Sequence, residues 1–438
     1  MRLGDLADDL ASRDSLVDIA GRVTEVSAVG VRISGLSNWL RLGDFVRLQG
    51  AGESELAEVV SIGRDSIFAI PFGTATQAAI NMRAVRCGPP TILPHPSWKG
   101  RVIDSLAAPL DGAPLAQGGL KLGRGAEAPK ALSRARVSQP LNTGVNVIDL
   151  FTPVCAGQRV GIFAGSGVGK TTLLAMLIEC RQFDTVVVAL VGERGREVRE
   201  MVEDTLGPGM QKSIAVVATS DESPLSRRMA ARTATTIAEF FRDRGENVLL
   251  IVDSLTRYVH ALREIALAAG EPPVARGYPP SVFADIPRLL ERAGPGEGGS
   301  GTITGLYSIL VDGDDHNEPV ADCVRGVLDG HIVLERRLAN ANRYPAVDPL
   351  ASLSRLAHHA WSGEQAKQVA TLRRLIDRYE ASADLRALNA YRPGSDTELD
   401  TAVTMVPKMY ELLKQSPGTK SVPNIFQAIQ ELFGPAGG

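Results

Sequence analysis

Residues Gly165-Ser166-Gly167-Val168-Gly169-Lys170-Thr171 follow directly on the apolar run Arg159-Val160-Gly161-Ile162-Phe163-Ala164 and lead into Thr172-Leu173-Leu174-Ala175-Met176-Leu177-Ile178. A short apolar strand, a glycine-rich turn and a helix start, in that order, form the setting of a phosphate-binding loop. The glycines let backbone N–H groups turn inward towards phosphate oxygens, and the helix N-terminus adds partial positive charge. Residues 165–172 are therefore candidate nucleotide contacts, with Lys170 reaching the β- and γ-phosphates. The Thr171 hydroxyl is a candidate Mg²⁺ ligand. The expected ligand is a nucleoside triphosphate.

The strand pattern around this loop sets the fold class. Between Gly144 and Asp348, strand candidates at 159–164, 185–191, 213–218, 248–252, 300–310 and 330–334 alternate with helical stretches. Such alternation implies an α/β core with a mainly parallel sheet covered on both faces, and ligand bound at the carboxyl ends of the strands. Before the core, from Ser15 to Cys87, segments 17–26, 29–33, 45–48 and 56–62 read as short strands separated by Gly, Asn and Asp, which predicts a small antiparallel barrel. Residues 87–140 are rich in Gly and Pro and read as a linker with hairpins. After residue 350, stretches 364–377, 379–388, 398–415 and 422–432 carry apolar residues at helical spacing. Met1 to Ser15 reads as a short amphipathic helix or a frayed arm.

Composition narrows the partners. The 438 residues allow two or three domains, and a net charge of −3 argues against nucleic-acid binding by bulk electrostatics. Cys87, Cys155, Cys180 and Cys323 form no Cys-x-x-Cys pair, so buried free thiols in a reducing compartment are expected. No signal-peptide pattern and no run of membrane-spanning length is seen, which makes the expected location cytoplasmic.

Hydrolysis needs acids near the phosphates. Val248-Leu249-Leu250-Ile251-Val252 delivers Asp253 to a strand end, where it would complete the metal shell. Val187-Val188-Ala189-Leu190-Val191-Gly192 delivers Glu193 in the same way, facing the γ-phosphate as the group that readies water; an ordinary surface Glu–Arg pair is the alternative. Arg194 would hold that phosphate or steady Glu193. Asp312, Asp314, Asp315 and Glu318 lack calcium-loop spacing and read as a solvated acidic loop, and His358-His359 reads as surface.

The loop 161–171, the segment Asp253-Ser254-Leu255-Thr256-Arg257-Tyr258 and the long stretch 263–283, which includes Ala275-Arg276-Gly277-Tyr278-Pro279-Pro280-Ser281-Val282-Phe283, together resemble the bacterial flagellar and type III secretion export ATPases. Residues 317–322 and 328–334 add to the likeness, which spans about 97–415 strongly. This family is similar to the catalytic subunit of rotary ATP synthases. The resemblance implies an N-terminal β-barrel (1–90), a RecA-like P-loop ATPase core (91–348) and a C-terminal helical domain (349–438). It implies a homohexamer with ATP and Mg²⁺ at subunit boundaries. In Ala351-Ser352-Leu353-Ser354-Arg355 it makes Arg355 the candidate arginine finger donated to a neighbour, with an interface salt bridge as the alternative. In Arg343-Tyr344-Pro345-Ala346-Val347-Asp348 it makes Tyr344 the candidate adenine contact, against a plain core aromatic. Catalytic subunits carry Glu at the position of Glu193, whereas their non-catalytic partners carry Gln.

The implied activity is ATP hydrolysis that drives flagellar subunits towards a membrane gate. Implied partners are the flagellar export apparatus, a stalk-like subunit, a regulatory subunit, and export substrates with their chaperones. Peripheral association with the inner face of the cytoplasmic membrane follows from the gate. Segments 344–355 and 390–396 resemble the flagellar branch, although Pro349 resembles the rotary synthase version. A virulence-type injectisome ATPase is the nearest alternative. A hexameric RNA translocase would need stacking aromatics on the barrel, where the sequence offers Trp39, Phe45, Phe68 and Phe72. A nucleotide-binding subunit without turnover is the remaining alternative.

Overall fold

The computed structural model describes residues 18–50, 54–73, 77–311 and 319–433. The N-terminal arm and the acidic loop at 312–318 lie outside them. The described residues open with a closed barrel of six strands: β1 (Ala20–Val26), β2 (Val31–Ser34), β3 (Phe45–Gln49), β4 (Glu55–Ile62), β5 (Ser66–Pro71) and β6 (Arg83–Gly88). All neighbours run antiparallel in the order β1-β2-β5-β4-β3-β6, with β6 returning to β1. Alternate residues such as Val23, Ile33, Val46, Leu48, Val59, Ile67 and Ala69 fill its interior.

Sequence patterning identifies four of these strands and misses β5 and β6. In Ser66-Ile67-Phe68-Ala69-Ile70-Pro71 the alternation is hidden because both faces find apolar neighbours. Ile67 and Ala69 point into the barrel, while Phe68 and Ile70 pack against Leu225 and Ile265 of the next unit. The same junction carries an ion pair between Glu58 and Arg228, both buried. Replacing one partner of such a pair leaves a charge without compensation, so it fixes how the barrel sits on the core.

The core is a nine-stranded sheet. Its main path uses β7 (Arg101–Asp104), β8 (Arg159–Ala164), β9 (Thr185–Glu193), β10 (Ser213–Thr219), β11 (Asn247–Asp253), β12 (Thr302–Leu310), β13 (Gly330–Leu334) and β14 (Leu353–Ser354). Spatially they run β14-β13-β8-β12-β11-β9-β10-β7, and the two-residue strand Gly294–Pro295 pairs on β12. Only β14 and that short strand are antiparallel. The six expected core strands are all present.

Two features differ from the sequence-based expectation. Arg101–Asp104 joins the core sheet as a parallel edge strand, although its surroundings read as linker; four residues with two apolar side chains carry too little pattern to be recognised. The sheet also runs on to Ser354.

Helices cover both faces of the sheet. One face packs α1 (Lys170–Ile178) together with C-terminal residues Val369, Leu372, Val406 and Met409. The other packs helices Pro224–Arg242, Leu255–Ala268, Pro280–Leu290 and Pro319–Val327. The C-terminal helices are Gly363–Ala381, Ala383–Ala387, Thr397–Leu413 and Ile425–Phe433. The expected break at residue 378 falls instead at Ser382, whose hydroxyl donates to the Tyr379 carbonyl. The four cysteines are free, with Cys155 and Cys180 buried as expected, but Cys87 exposed at the end of the barrel.

Candidate active site

The phosphate loop leaves the carboxyl end of β8 at Ala164 and closes on α1 at Lys170. Gly167 and Gly169 hold φ of +75° and +96°, backbone angles that side-chain-bearing residues resist, so the turn depends on them. Val168 is buried and anchors the loop from below, while Ser166 and Gly167 stay exposed. Thr171 and Thr172 sit at the start of α1, Thr171 exposed.

Register brings the acids to this loop. Parallel pairing sets Leu190 of β9 beside Asp253 of β11, so Glu193 projects just past the same sheet edge. Lys170 Nζ bonds Asp253 Oδ1 and lies 4.0 Å from Glu193 Oε1. Asp253 is buried, and the Ser308 hydroxyl donates to its Oδ1 at 2.6 Å. Ser308 carries no sequence signal; it reaches Asp253 because β12 pairs with β11 so that Val252 faces Tyr307.

Glu193 is the unusual group. Its Oε1 is buried with no hydrogen-bond partner. Burial, then the neighbouring Asp253 charge, push its carboxyl up to about 7, with Lys170 opposing. Its other contact is Glu197, which also accepts from the Arg194 backbone N–H at 3.3 Å and is itself held below the usual carboxylate range by the bond from Glu193. Glu197 lies four residues on, one helical turn away, and sequence reading did not single it out. Arg194 begins α2 (Gly195–Glu200) with its side chain exposed.

This raised pKa has a consequence for stability. Between about pH 4.5 and about pH 7 an unfolded Glu193 has released its proton while the folded one retains it. The term contributed by Glu193 therefore weakens the fold as pH climbs through that window. Glu193→Gln removes the term: its unfolding midpoint is expected to fall less between pH 5 and pH 7 than that of the unmodified protein, measured by thermal unfolding at several pH values. Identical pH profiles would place Glu193 in water.

Tyr344 and Arg355 occupy different places. A Cβ built on Gly169 would lie 3.3 Å from the Tyr344 ring, which puts this half-buried tyrosine against the phosphate loop. Beside it, a small cleft is lined by Val147, Leu338, Arg343, Pro345, Tyr410 and Leu413. Arg355 is exposed and follows β14, which pairs with Gly330 and His331 at the amino end of β13. The phosphate loop leaves at the opposite, carboxyl end, four residues and roughly 13 Å of strand further on. The Arg355 backbone N–H donates to the Asp329 carbonyl and its guanidinium to that of Arg325, leaving it at the amino end of the sheet, away from its own chain's phosphate loop.

The residues present fit a divalent cation. Among the described residues no cluster of three His, Cys, Asp or Glu exists. One buried carboxylate, Asp253, one hydroxyl, Thr171, and phosphate oxygens match the sparse protein ligation that Mg²⁺ prefers.

A glycine-rich loop between parallel strand and helix, with the buried Asp253 and the half-buried Glu193 on adjacent strand ends, defines a P-loop nucleotide-binding protein of the RecA-like kind. The chain belongs more narrowly to the flagellar and type III secretion ATPases within the ATP synthase alpha/beta family. Residues 144–354 match the family described as "ATP synthase alpha/beta family, nucleotide-binding domain", and 361–432 match "T3SS EscN ATPase C-terminal domain". A flagellum-specific ATP synthase of Rhizobium meliloti is 54% identical over 419 residues, covering 95% of this chain and 90% of that protein. A type 3 secretion system ATPase of Xanthomonas euvesicatoria is 43% identical, covering 90% and 89%. The assembled ATPase EscN of the enteropathogenic E. coli type III secretion system superposes with a TM-score of 0.86 at 38% identity, covering 94% of this chain and 99% of that one. EscN has also been solved in complex with its central stalk EscO, with a TM-score of 0.84.

Proposed function

We propose that this chain is a Mg²⁺-dependent ATP hydrolase that works as a homohexamer and energises flagellar type III protein export in the bacterial cytoplasm. The observation that carries the reading is Glu193: a half-buried carboxylate with one buried, unpartnered oxygen, 4.0 Å from the phosphate-loop lysine, in a chain 54% identical to a flagellum-specific ATP synthase. The 54% match favours the flagellar branch; other flagellum-specific relatives, at 42–44%, are about as similar as the injectisome one at 43%.

In this reading the N–H groups of 165–169 and Lys170 cradle the β- and γ-phosphates, Thr172 adds to the helix-end contacts, and the Tyr344 ring flanks the adenine. Thr171 and Asp253 hold Mg²⁺, which supplies positive charge to the phosphate oxygens. Lys170 leaves Asp253 for the triphosphate when nucleotide enters. Glu193, raised to a pKa of about 7, accepts the proton of the attacking water near neutral pH. Arg194 steadies Glu193 or the γ-phosphate from its exposed position. Arg355 of the adjacent copy offsets charge developing on the transferred group.

Three functional units correspond to 1–90, 91–348 and 349–438. A central stalk-like subunit is supported by the EscN–EscO complex. A regulatory subunit, export substrates, chaperones and the export gate complete the proposed partners, with the ATPase resting on the inner membrane face. No helix of the described residues is long and apolar enough to cross a membrane. Of the four barrel aromatics, Trp39 is exposed, while Phe45 is buried edge-on against Phe72 and the half-buried Phe68 packs against the core at Leu225 and Ile265, which supports a protein-export role over RNA translocation.

Deleting the gene tests the proposal. Cells are expected to lose external flagellar filaments and to regain them with the unmodified gene but not with one carrying Glu193→Gln. Filaments that persist in the deletion strain would rule out the flagellar role.

A further inference from the structure

Strand β13 ends at Leu334 beside the phosphate-loop strand, and the short helix α3 (Arg336–Asn340) begins two residues later. This turn places Arg336 over the loop. Its guanidinium is exposed and donates to the Ser166 carbonyl at 3.0 Å. The next residue, Arg337, pairs with Glu380 of the C-terminal helices and, at 3.9 Å, with Asp348. The base from which Arg336 reaches is therefore fixed on the far side.

Ser166 C=O and Gly167 N–H belong to one peptide unit, and in a trans peptide they point in opposite directions. A carbonyl held outward by Arg336 sends the Gly167 N–H inward, towards where a phosphate oxygen would sit. Left alone this unit is free to rotate, because it is exposed and is followed by a glycine at φ +75°. Given the ATP hydrolysis proposed above, we infer that Arg336 is a positioning residue that presets one phosphate-binding N–H of the loop before nucleotide arrives. Preorganisation of this kind improves affinity by removing an ordering cost, and leaves the chemical step alone.

The test uses the full-length protein with Arg336→Met, which keeps an unbranched apolar stem and removes the guanidinium donors, and with Arg336→Lys. An exposed hydrogen bond of this strength corresponds to roughly three- to tenfold in affinity. Arg336→Met is expected to raise the KM for ATP, and to weaken equilibrium binding of both ATP and ADP, by that factor while kcat stays within about twofold. Arg336→Lys is expected to recover part of the loss. Unchanged affinity in Arg336→Met would overturn the inference, as would a loss confined to ATP, which would mark a direct γ-phosphate contact. A fall in kcat with KM intact would overturn it equally. Amide hydrogen exchange across 165–169 in nucleotide-free protein reads the same contact without relying on affinity: exchange is expected to quicken in Arg336→Met, and equal rates would count against the role. If the unmodified protein itself neither binds nor hydrolyses ATP, the ATPase reading fails; if it does both and Arg336→Met matches it, only the role of Arg336 fails.

Discussion

Glu193→Gln is expected to lower ATP turnover by about a hundred- to ten-thousandfold, the range general-base groups supply, while nucleotide binding persists. The amide keeps the shape of the side chain and its place at the end of β9 but cannot accept a proton from water. The phosphate loop, Lys170 and Asp253 remain to hold nucleotide. Phosphate release and equilibrium binding of a fluorescent ATP analogue, measured on the same preparation, separate the two effects. In the unmodified enzyme kcat/KM should rise with pH as Glu193 loses its proton around pH 7. Near-normal turnover in the amide variant would remove Glu193 from the chemistry and leave its buried, unpartnered oxygen without a catalytic reason.

Arg355→Ala is expected to cost about a thousand- to a hundred-thousandfold in turnover, the magnitude associated with arginine fingers. The cost should appear only in the assembled ring, because Arg355 lies at the amino end of the sheet, away from its own phosphate loop. Mixing provides the sharper result. In rings built from Arg355→Ala and Glu193→Gln copies, some boundaries pair an intact Glu193 with an intact Arg355 from the neighbour. Phosphate release should then exceed that of either parent ring. If mixed rings of verified composition stay as inactive as the parents, each site uses its own arginine and the assignment across the boundary is wrong.

The C-terminal helices and the core sheet differ in how readily their patterns reveal them. Buried parallel strands such as Thr185–Glu193 and Asn247–Asp253 are apolar on both faces, so they stand out as short continuous runs with an acid at the end. Helix Thr397–Leu413 is marked by its apolar spacing, whereas the Asp396 side chain that caps its first turn shows only in the structure. Strand Arg101–Asp104 has neither signal, and its membership of the sheet comes from pairing with Ile214–Val217 more than a hundred residues later. Strand β5 has apolar residues on both sides because it serves two cores at once.

The same division runs through the site. Phosphate loop, Asp253 and Glu193 follow from local order along the chain, since strand, turn and helix preferences act over a few residues and leave a pattern that can be read in a line. Family likeness alone drew attention to Tyr344 and Arg355, and chain order says nothing of where they sit. Three-dimensional packing put the Tyr344 ring against Gly169, brought Ser308 to Asp253, hung Arg336 over Ser166 and sent Arg355 to the amino end of the sheet. Those contacts arise from the spatial order of strands, which is settled by burial summed over the whole sheet and so has no signature within any one segment.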